Sequence, residues 1–400
     1  MKILIFDGSF KTTSFINRLA AGLAERHDVY IAGFNEKMSS PVSGVHYIAL
    51  GSNQNKRRFI HTSLYWALKN KSTTSFVTIL KFLLQGKRQD IQERNLLTAL
   101  NFIQPDIIHL QWTSIISLFE VVLIKQKIPV IISQRGFHTN VKPFVYKENM
   151  DYLRRWYPYF AGFHSVSKAI TQNGDKIWSS LNKIDRVVYT GLPFEEWLFN
   201  PNLKKTNPLQ LLSVGRSHWK KGYDYGLQVC SILKANNISF HYTIIGGAGE
   251  EELQFLRYDL GLEEHVSLLG RMPLEEVKVK MRESSLMLLS SLEEGLPNVA
   301  VEAMAIGLPV VAFDVDGLPE LIDSGKEGWL VPVRDVKGMA KVVMDFGRMS
   351  DAEIEVVRVA ARRKVEVQHN EKQMIDGMEQ LYRMVVNHKE HGEGTEDAEG

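Results

Sequence analysis

Cysteine is almost missing from this chain of 400 residues: Cys230 stands alone. That excludes an intramolecular disulfide framework and fits a reducing compartment. Net charge is nearly missing too. A formal +2 is too little to imply a nucleic-acid partner, and none is expected. Long apolar runs are also lacking: no stretch reaches the roughly 18 uncharged apolar residues of a membrane span. The opening MKILIFDGSF offers only a short apolar run before Asp7, too short for the apolar core of a signal peptide. The expectation is a soluble cytoplasmic protein that can still touch the inner face of the cell membrane. What is present is 44% hydrophobic content over 400 residues, enough for two globular domains with cores of their own.

The most informative stretch is EEGLPNVAVEAMAIGLPVVAF, Glu293 to Phe313. It reads as a loop with glycine and proline, a helix starting near Asn298, a stop at Gly307 and a strand of β-branched residues. A helix N-terminus feeding a parallel sheet in this way binds anions. Glu294 lies in the loop and Glu302 follows in the helix with seven residues between them. Carboxylates beside a phosphate site repel phosphate unless they face something else. Rows of sugar hydroxyls, each donating a hydrogen bond, suit them. A nucleotide sugar meets both demands, with one Glu for the ribose and one for the transferred sugar.

At these residues the chain resembles the retaining glycosyltransferases of family 4. The resemblance rests on the two spaced Glu with EAMA and GLPVV, on DVDGLPELID from Asp314 to Asp323, on GWLVP from Gly328 to Pro332, and upstream on SVGRSHWKKG from Ser213 to Gly222. It covers nearly all of the C-terminal half and, more weakly, the N-terminal half. The implied fold is the α/β GT-B fold, two Rossmann-like domains facing each other across a cleft. Residues 1–200 would form the N-terminal acceptor-binding domain and 208–370 the C-terminal nucleotide-sugar domain, with Pro201 to Pro208 as linker. A helix over 371–388 would cross back to the first domain, and 389–400 would be a disordered tail.

Read in order, KILIF is a buried first strand and FINRLAAGLAERH an amphipathic helix, with Gly8 in the turn between them. In the resembled family that turn faces the donor diphosphate; the residues alone equally allow Gly8 to be just a tight βα turn. From Lys56 to Arg94, basic residues interleave with Phe59, Tyr65, Trp66, Phe76 and Phe82. Such helices suit an anionic membrane or a lipid-linked acceptor, or simply a solvated face over the N-terminal sheet. PDIIHLQWTS and IPVIISQRGFHTN are strands ending in polar and aromatic residues, which makes His109, Gln111, Arg135 and His138 candidates for the acceptor side. The family carries a His in the loop after the second of these strands. Aligning on the glycine puts Arg135 there, and aligning on His-Thr selects His138.

By the same resemblance Arg216 and Lys221 neutralise the donor pyrophosphate, a fork and a point charge for a leaving group whose charge grows. Gly215, Gly246, Gly295, Leu296, Pro297, Asn298 and Val299 would line the donor site, with the backbone at Arg271 and Met272 bordering the base. Asp314 and Asp316 have the spacing of a metal site, but they fall in the GLPE loop and cations already serve the phosphates, so no metal and no cofactor is expected. The activity implied is transfer of a sugar, with retention, from a UDP- or GDP-linked donor to a hydroxyl of a glycan or lipid-linked acceptor in envelope, capsular or exopolysaccharide assembly. Glu294, Arg216, Lys221 and His138 are the expected catalytic residues. Two rivals remain: an epimerase or hydrolase of nucleotide sugars, and a non-catalytic carbohydrate-binding or assembly subunit.

Overall fold

Alternation within KILIF sets up the first sheet. Leu4 and Phe6 point into one hydrophobic cluster and Ile3 and Ile5 into another, so the strand is buried on both faces. The computed structural model describes residues 1–10, 12–36 and 41–396. The chain divides into two units. The first comprises Met1–Val166, Ile170–Tyr189 and the chain from Glu371 on; the second comprises Ser167–Ala169 and Thr190–Asn370.

In the first unit the strands are β1 (Lys2–Ser9), β2 (Asp28–Phe34), β3 (Val45–Ala49), β4 (Ile107–Leu110), β5 (Val130–Gln134), β6 (Gly162–Ser165) and β7 (Asp185–Val187). All pair in parallel, in the order β3-β2-β1-β4-β5-β6-β7. One face carries the cluster of Leu4, Phe6, Trp66, Ile108 and Phe119. The other is covered by helix Ser14–Ala24 and by the last helix, Glu371–Glu396. That last helix supplies Met374, Met378, Leu381, Tyr382 and Val385, spaced as one helical stripe. It reaches Glu396, so residues 389–396 of the expected disordered tail are helical, and 397–400 lie outside the described residues.

The basic segment folds as helices Lys56–Lys69, Thr73–Leu84 and Arg88–Ile103. Its aromatics turn mostly inward. Trp66 joins the main core, Phe59 anchors a small satellite cluster with Phe76 and Phe82 against it, and Tyr65 is exposed.

The second unit has β8 (Leu209–Val214), β9 (Phe240–Ile245), β10 (Val266–Leu269), β11 (Leu286–Leu289), β12 (Val310–Phe313) and β13 (Trp329–Val331). They form a parallel sheet in the order β10-β9-β8-β11-β12-β13. The expected linker is corrected here. Leu192, Trp197 and Leu203 are buried in the second unit's core, the Arg358 guanidinium donates to Leu203 O at 2.9 Å, and Lys205 Nζ donates to Gly347 O at 2.8 Å. Residues 190–208 are therefore part of that unit, whose boundary comes before residue 200. Polar composition had suggested a linker, but its apolar minority decides the packing.

Candidate functional site

Each sheet reverses its strand order once, between β1 and β4 in the first unit and between β8 and β11 in the second. Neighbouring βα loops diverge at such a point and leave a crevice at the C-terminal strand ends, where open α/β sheets bind ligands.

In the second unit the loop after β8 is tied to the loop after β9, with Gly215 N–H donating to Ile245 O at 3.0 Å and Ser217 N–H to Gly246 O at 3.2 Å. A single tight turn, Trp219–Lys221, then ends at Gly222. Gly222 has φ +55°, and a Cβ there would lie 2.2 Å from Ser290 O, so only glycine permits this approach to the loop after β11. The approach has a direct consequence: Leu292 N–H donates to Lys220 O at 2.7 Å, and two Lys–Glu pairs form. Lys221 Nζ lies 2.5 Å from Glu294 Oε1, and Lys220 Nζ lies 3.1 Å from Glu293 Oε2. Ser291 Oγ donates to the same Glu294 oxygen at 2.8 Å, and Glu294 N–H donates to the Asp316 carboxylate at 2.8 Å. Burial pushes the Glu293 carboxyl above its usual value, and Lys220 pulls it back. Arg216 is exposed on the β8 loop. Burial lowers the pKa of His218, and the charges of Lys220, Arg216 and Lys221 lower it further, so three cations act on one imidazole.

Helix Asn298–Ile306 starts directly after Gly295, Leu296 and Pro297, with Val299 in its first turn. Its buried residues Ala300, Val301, Ala303 and Met304 fix it against the sheet, and Glu302 is half-buried among them. The sequence-derived set Gly215, Arg216, Lys221, Gly246, Glu294 and Gly295 thus sits on the β8, β9 and β11 loops around one switch point. Arg271 is exposed after β10, and Met272 is half-buried against the core. Pattern reading missed Lys220, Glu293 and Ser291 as partners, because nothing in one chain's spacing says which Lys meets which Glu. Asp316 stood out only as half of a metal-like pair. Here, at φ +47°, it holds the Glu294 backbone.

In the first unit, Asp7 and Gly8 close β1, while Gln111 and Trp112 follow β4 and Arg135 follows β5. Trp112 Nε1–H donates to Asp7 Oδ1 at 2.5 Å, and Arg135 Nη2–H donates to Gln111 Oε1 at 3.0 Å. The Arg135 guanidinium lies 4.3 Å from the Phe15 ring centroid, and desolvation brings its pKa down to about 10. His138 is half-buried in the short helix Phe137–Asn140.

His109 is corrected. It is wholly buried, on the side of β4 that faces the last helix, and both ring nitrogens are bonded: Nδ1 at 2.7 Å to the Tyr382 hydroxyl and Nε2 at 2.8 Å to Ser133 Oγ. Ser133 continues to His164 Nδ1 at 2.8 Å, and His164 Nε2–H donates to Val188 O at 3.0 Å. That carbonyl can only accept, so every proton in the chain is assigned, from Tyr382 O–H to His109, His109 Nε2–H to Ser133, and Ser133 O–H to His164. His109 is a structural residue, reached by no acceptor.

The class comes first from the fold. Two Rossmann-like units, each a parallel doubly wound sheet, make a GT-B protein. Sucrose-phosphate synthase from Thermosynechococcus elongatus superposes with a TM-score of 0.75 at 14% identity, covering 97% of this chain and 99% of that one. HepE from Anabaena, solved in complex with UDP-glucose, gives 0.70 at 16% identity, covering 97% and 100%. In sequence, residues 194–358, within the second unit, match the model of Glycosyl transferases group 1. A relative is the amylovoran biosynthesis glycosyltransferase AmsK of Erwinia amylovora, 39% identical over 198 residues, which are 47% of this chain and 48% of AmsK. The chain therefore spans about half the length of the curated relatives it matches.

Proposed function

We propose that the protein is a retaining glycosyltransferase that moves a sugar from a UDP- or GDP-linked donor to a hydroxyl of a glycan or lipid-linked acceptor in envelope polysaccharide assembly. The observation that carries this reading is the Lys221–Glu294 pair beside Arg216 at the switch point of the group 1 domain. A diphosphate would compete with Glu294 for Lys221 and, with Arg216, would find both cations on one loop. Glu294, released from Lys221, would hold and polarise the donor sugar, and Glu302 would take the ribose hydroxyls. The anomeric C–O bond to the diphosphate breaks and a C–O bond to the acceptor forms on the same face. The acceptor proton passes to the leaving phosphate oxygen. Arg216 and Lys221 supply the positive charge in this reading, so it invokes no metal. His138 would hold the sugar or the acceptor.

HepE binding UDP-glucose supports a nucleotide-sugar donor, and AmsK's role in amylovoran biosynthesis supports a polysaccharide product. Among the described residues no helix is long and apolar enough to cross a membrane. A cytoplasmic protein meeting the inner membrane face through Lys56 to Arg94 completes the proposal. Val77 and Leu84, both exposed on helix Thr73–Leu84 near Lys81, support that contact.

The test is a melting-temperature and nucleotide-release screen across UDP- and GDP-sugars, on wild type and Glu294→Ala. One donor should stabilise the wild type, with slow diphosphate release that the variant loses. If no donor shifts the wild type, the reading is wrong.

A further inference from the structure

Asp7 is a half-buried carboxylate with work left undone. Trp112 Nε1–H occupies one of its oxygens, and the other has no hydrogen-bond partner among the described residues. On the neighbouring loops, Arg135 Nε, whose charge acts on Asp7, and Nε2 of Gln111, which accepts from Arg135, are buried polar atoms without a partner among the described residues. Such atoms are costly to leave unmet, so a cluster of them at a sheet's switch point marks a place built for a ligand or ordered water. Gln111 is fully buried, and the Arg135 guanidinium lies 4.3 Å from the Phe15 ring centroid and 5.7 Å from that of Trp112. No carboxylate pairs with Arg135 within 4.0 Å among the described residues.

We infer that Asp7 is a saccharide-binding residue of the acceptor side, its free oxygen accepting a hydrogen bond from a hydroxyl of an uncharged sugar ring, with the Arg135 guanidinium as a donor to a neighbouring oxygen. This rests on the glycosyltransferase reading and adds the chemical class of what the first unit holds. Charge balance selects an uncharged ligand. Arg135 is the charged group that acts on Asp7, and Asp7 the one that acts on Arg135, because burial raises the Tyr382 phenol and keeps it neutral. His109 and His164, also within reach of Arg135, are held neutral by burial. One cation and one anion sum to zero, so an anionic ligand would gain Arg135 only by facing Asp7.

Asp7→Asn is the informative variant. Asn can keep the Trp112 bond through its carbonyl, and it then presents N–H, a donor, where the free carboxylate oxygen accepted. Saturation-transfer NMR would be run on full-length wild type and variant with the methyl glycosides of glucose, galactose, mannose and N-acetylglucosamine, and with methyl glucuronide as the anionic comparator. At least one neutral glycoside should bind the wild type and lose about 10-fold or more in affinity in the variant, a loss of one hydrogen bond to a charged group. Burial raises the Asp7 carboxyl to about 6, against the Trp112 bond and Arg135. Wild-type binding should therefore weaken below pH 6 while the variant's stays flat.

The variant should melt at or above the wild-type temperature at pH 7.5, because an ionised carboxylate whose pKa is raised destabilises the folded state there. A sharp drop in melting temperature would make Asp7 structural and overturn the inference. So would a panel in which no neutral glycoside tells the two proteins apart, or in which the glucuronide binds best. If a nucleotide sugar still shifts the melting of both proteins in those cases, the donor reading survives and only the saccharide subsite falls. If no nucleotide sugar shifts the wild type, both fall.

Discussion

Lys221 and Glu294 are the residues on which the proposed donor side turns. Their side chains are 16% and 8% exposed, so each carries a charge that is largely out of water and balanced by the other. Removing one partner strands the second, which costs more than the pair contributes. Lys221→Met should therefore destabilise the protein by roughly 1–3 kcal/mol, and adding Glu294→Gln should recover most of that loss. Denaturant unfolding of the two variants measures it. A double variant no more stable than Lys221→Met would mean the pair is not coupled. Both residues were legible in the sequence as types at a spacing. Their hydrogen bond was not, because 73 residues separate them and only the Gly222 turn brings the loops together.

Element by element, the glycine and proline signals were read correctly where they act locally. Gly307 ends helix Asn298–Ile306 at φ +87°, with Leu308 N–H donating to Ala303 O at 2.9 Å, and a Cβ there would lie 2.5 Å from the Phe199 ring. Reading failed where burial overrides composition, as at residues 201–208. The three helices over Lys56–Ile103 divide the same way. Most of their aromatics pack inward, Tyr65 and Phe102 being exposed, and several cations lie over the rings, such as Arg88 at 4.8 Å from Phe59 and Lys87 at 5.3 Å from Phe82. A membrane contact must then rest on charge and on the exposed apolar side chains, Leu68, Val77, Leu84 and Phe102 among them. Charge reversal at Lys56, Arg57 and Arg58 should weaken cosedimentation with phosphatidylserine-containing liposomes several-fold, and more so at low salt. Equal binding of wild type and variant would remove the membrane from the proposal.

For the molecule as a whole, buried histidines set the acid limit. Burial holds His109 well below its usual pKa, His164 at about 3 and His369 at about 4. All three are neutral in the folded protein, whereas in the unfolded chain they take up protons below about 6.5. The unfolded state thus binds more protons there, and the stability their neutral forms contribute is present above pH 6.5 and lost as pH falls. Melting temperature should decline from pH 7 to pH 5, and Tyr382→Phe, which removes the proton donor to His109, should cost roughly 1 kcal/mol at pH 7. A flat profile across that range would mean these rings are solvated.

The sequence by itself determined the parallel α/β units, the order of strands and helices, the loop glycines and the residue types at the second unit's switch point. Those follow from periodicity and from turn chemistry, which are local. Tertiary structure decided that His109 is core, that Tyr382 from the far end of the chain bonds to it, that residues 190–208 belong to the second unit, and that Asp7 keeps an unused carboxylate oxygen beside Arg135. Each depends on contacts between residues distant in the chain, and burial and hydrogen-bond saturation are properties of those contacts rather than of any stretch of sequence.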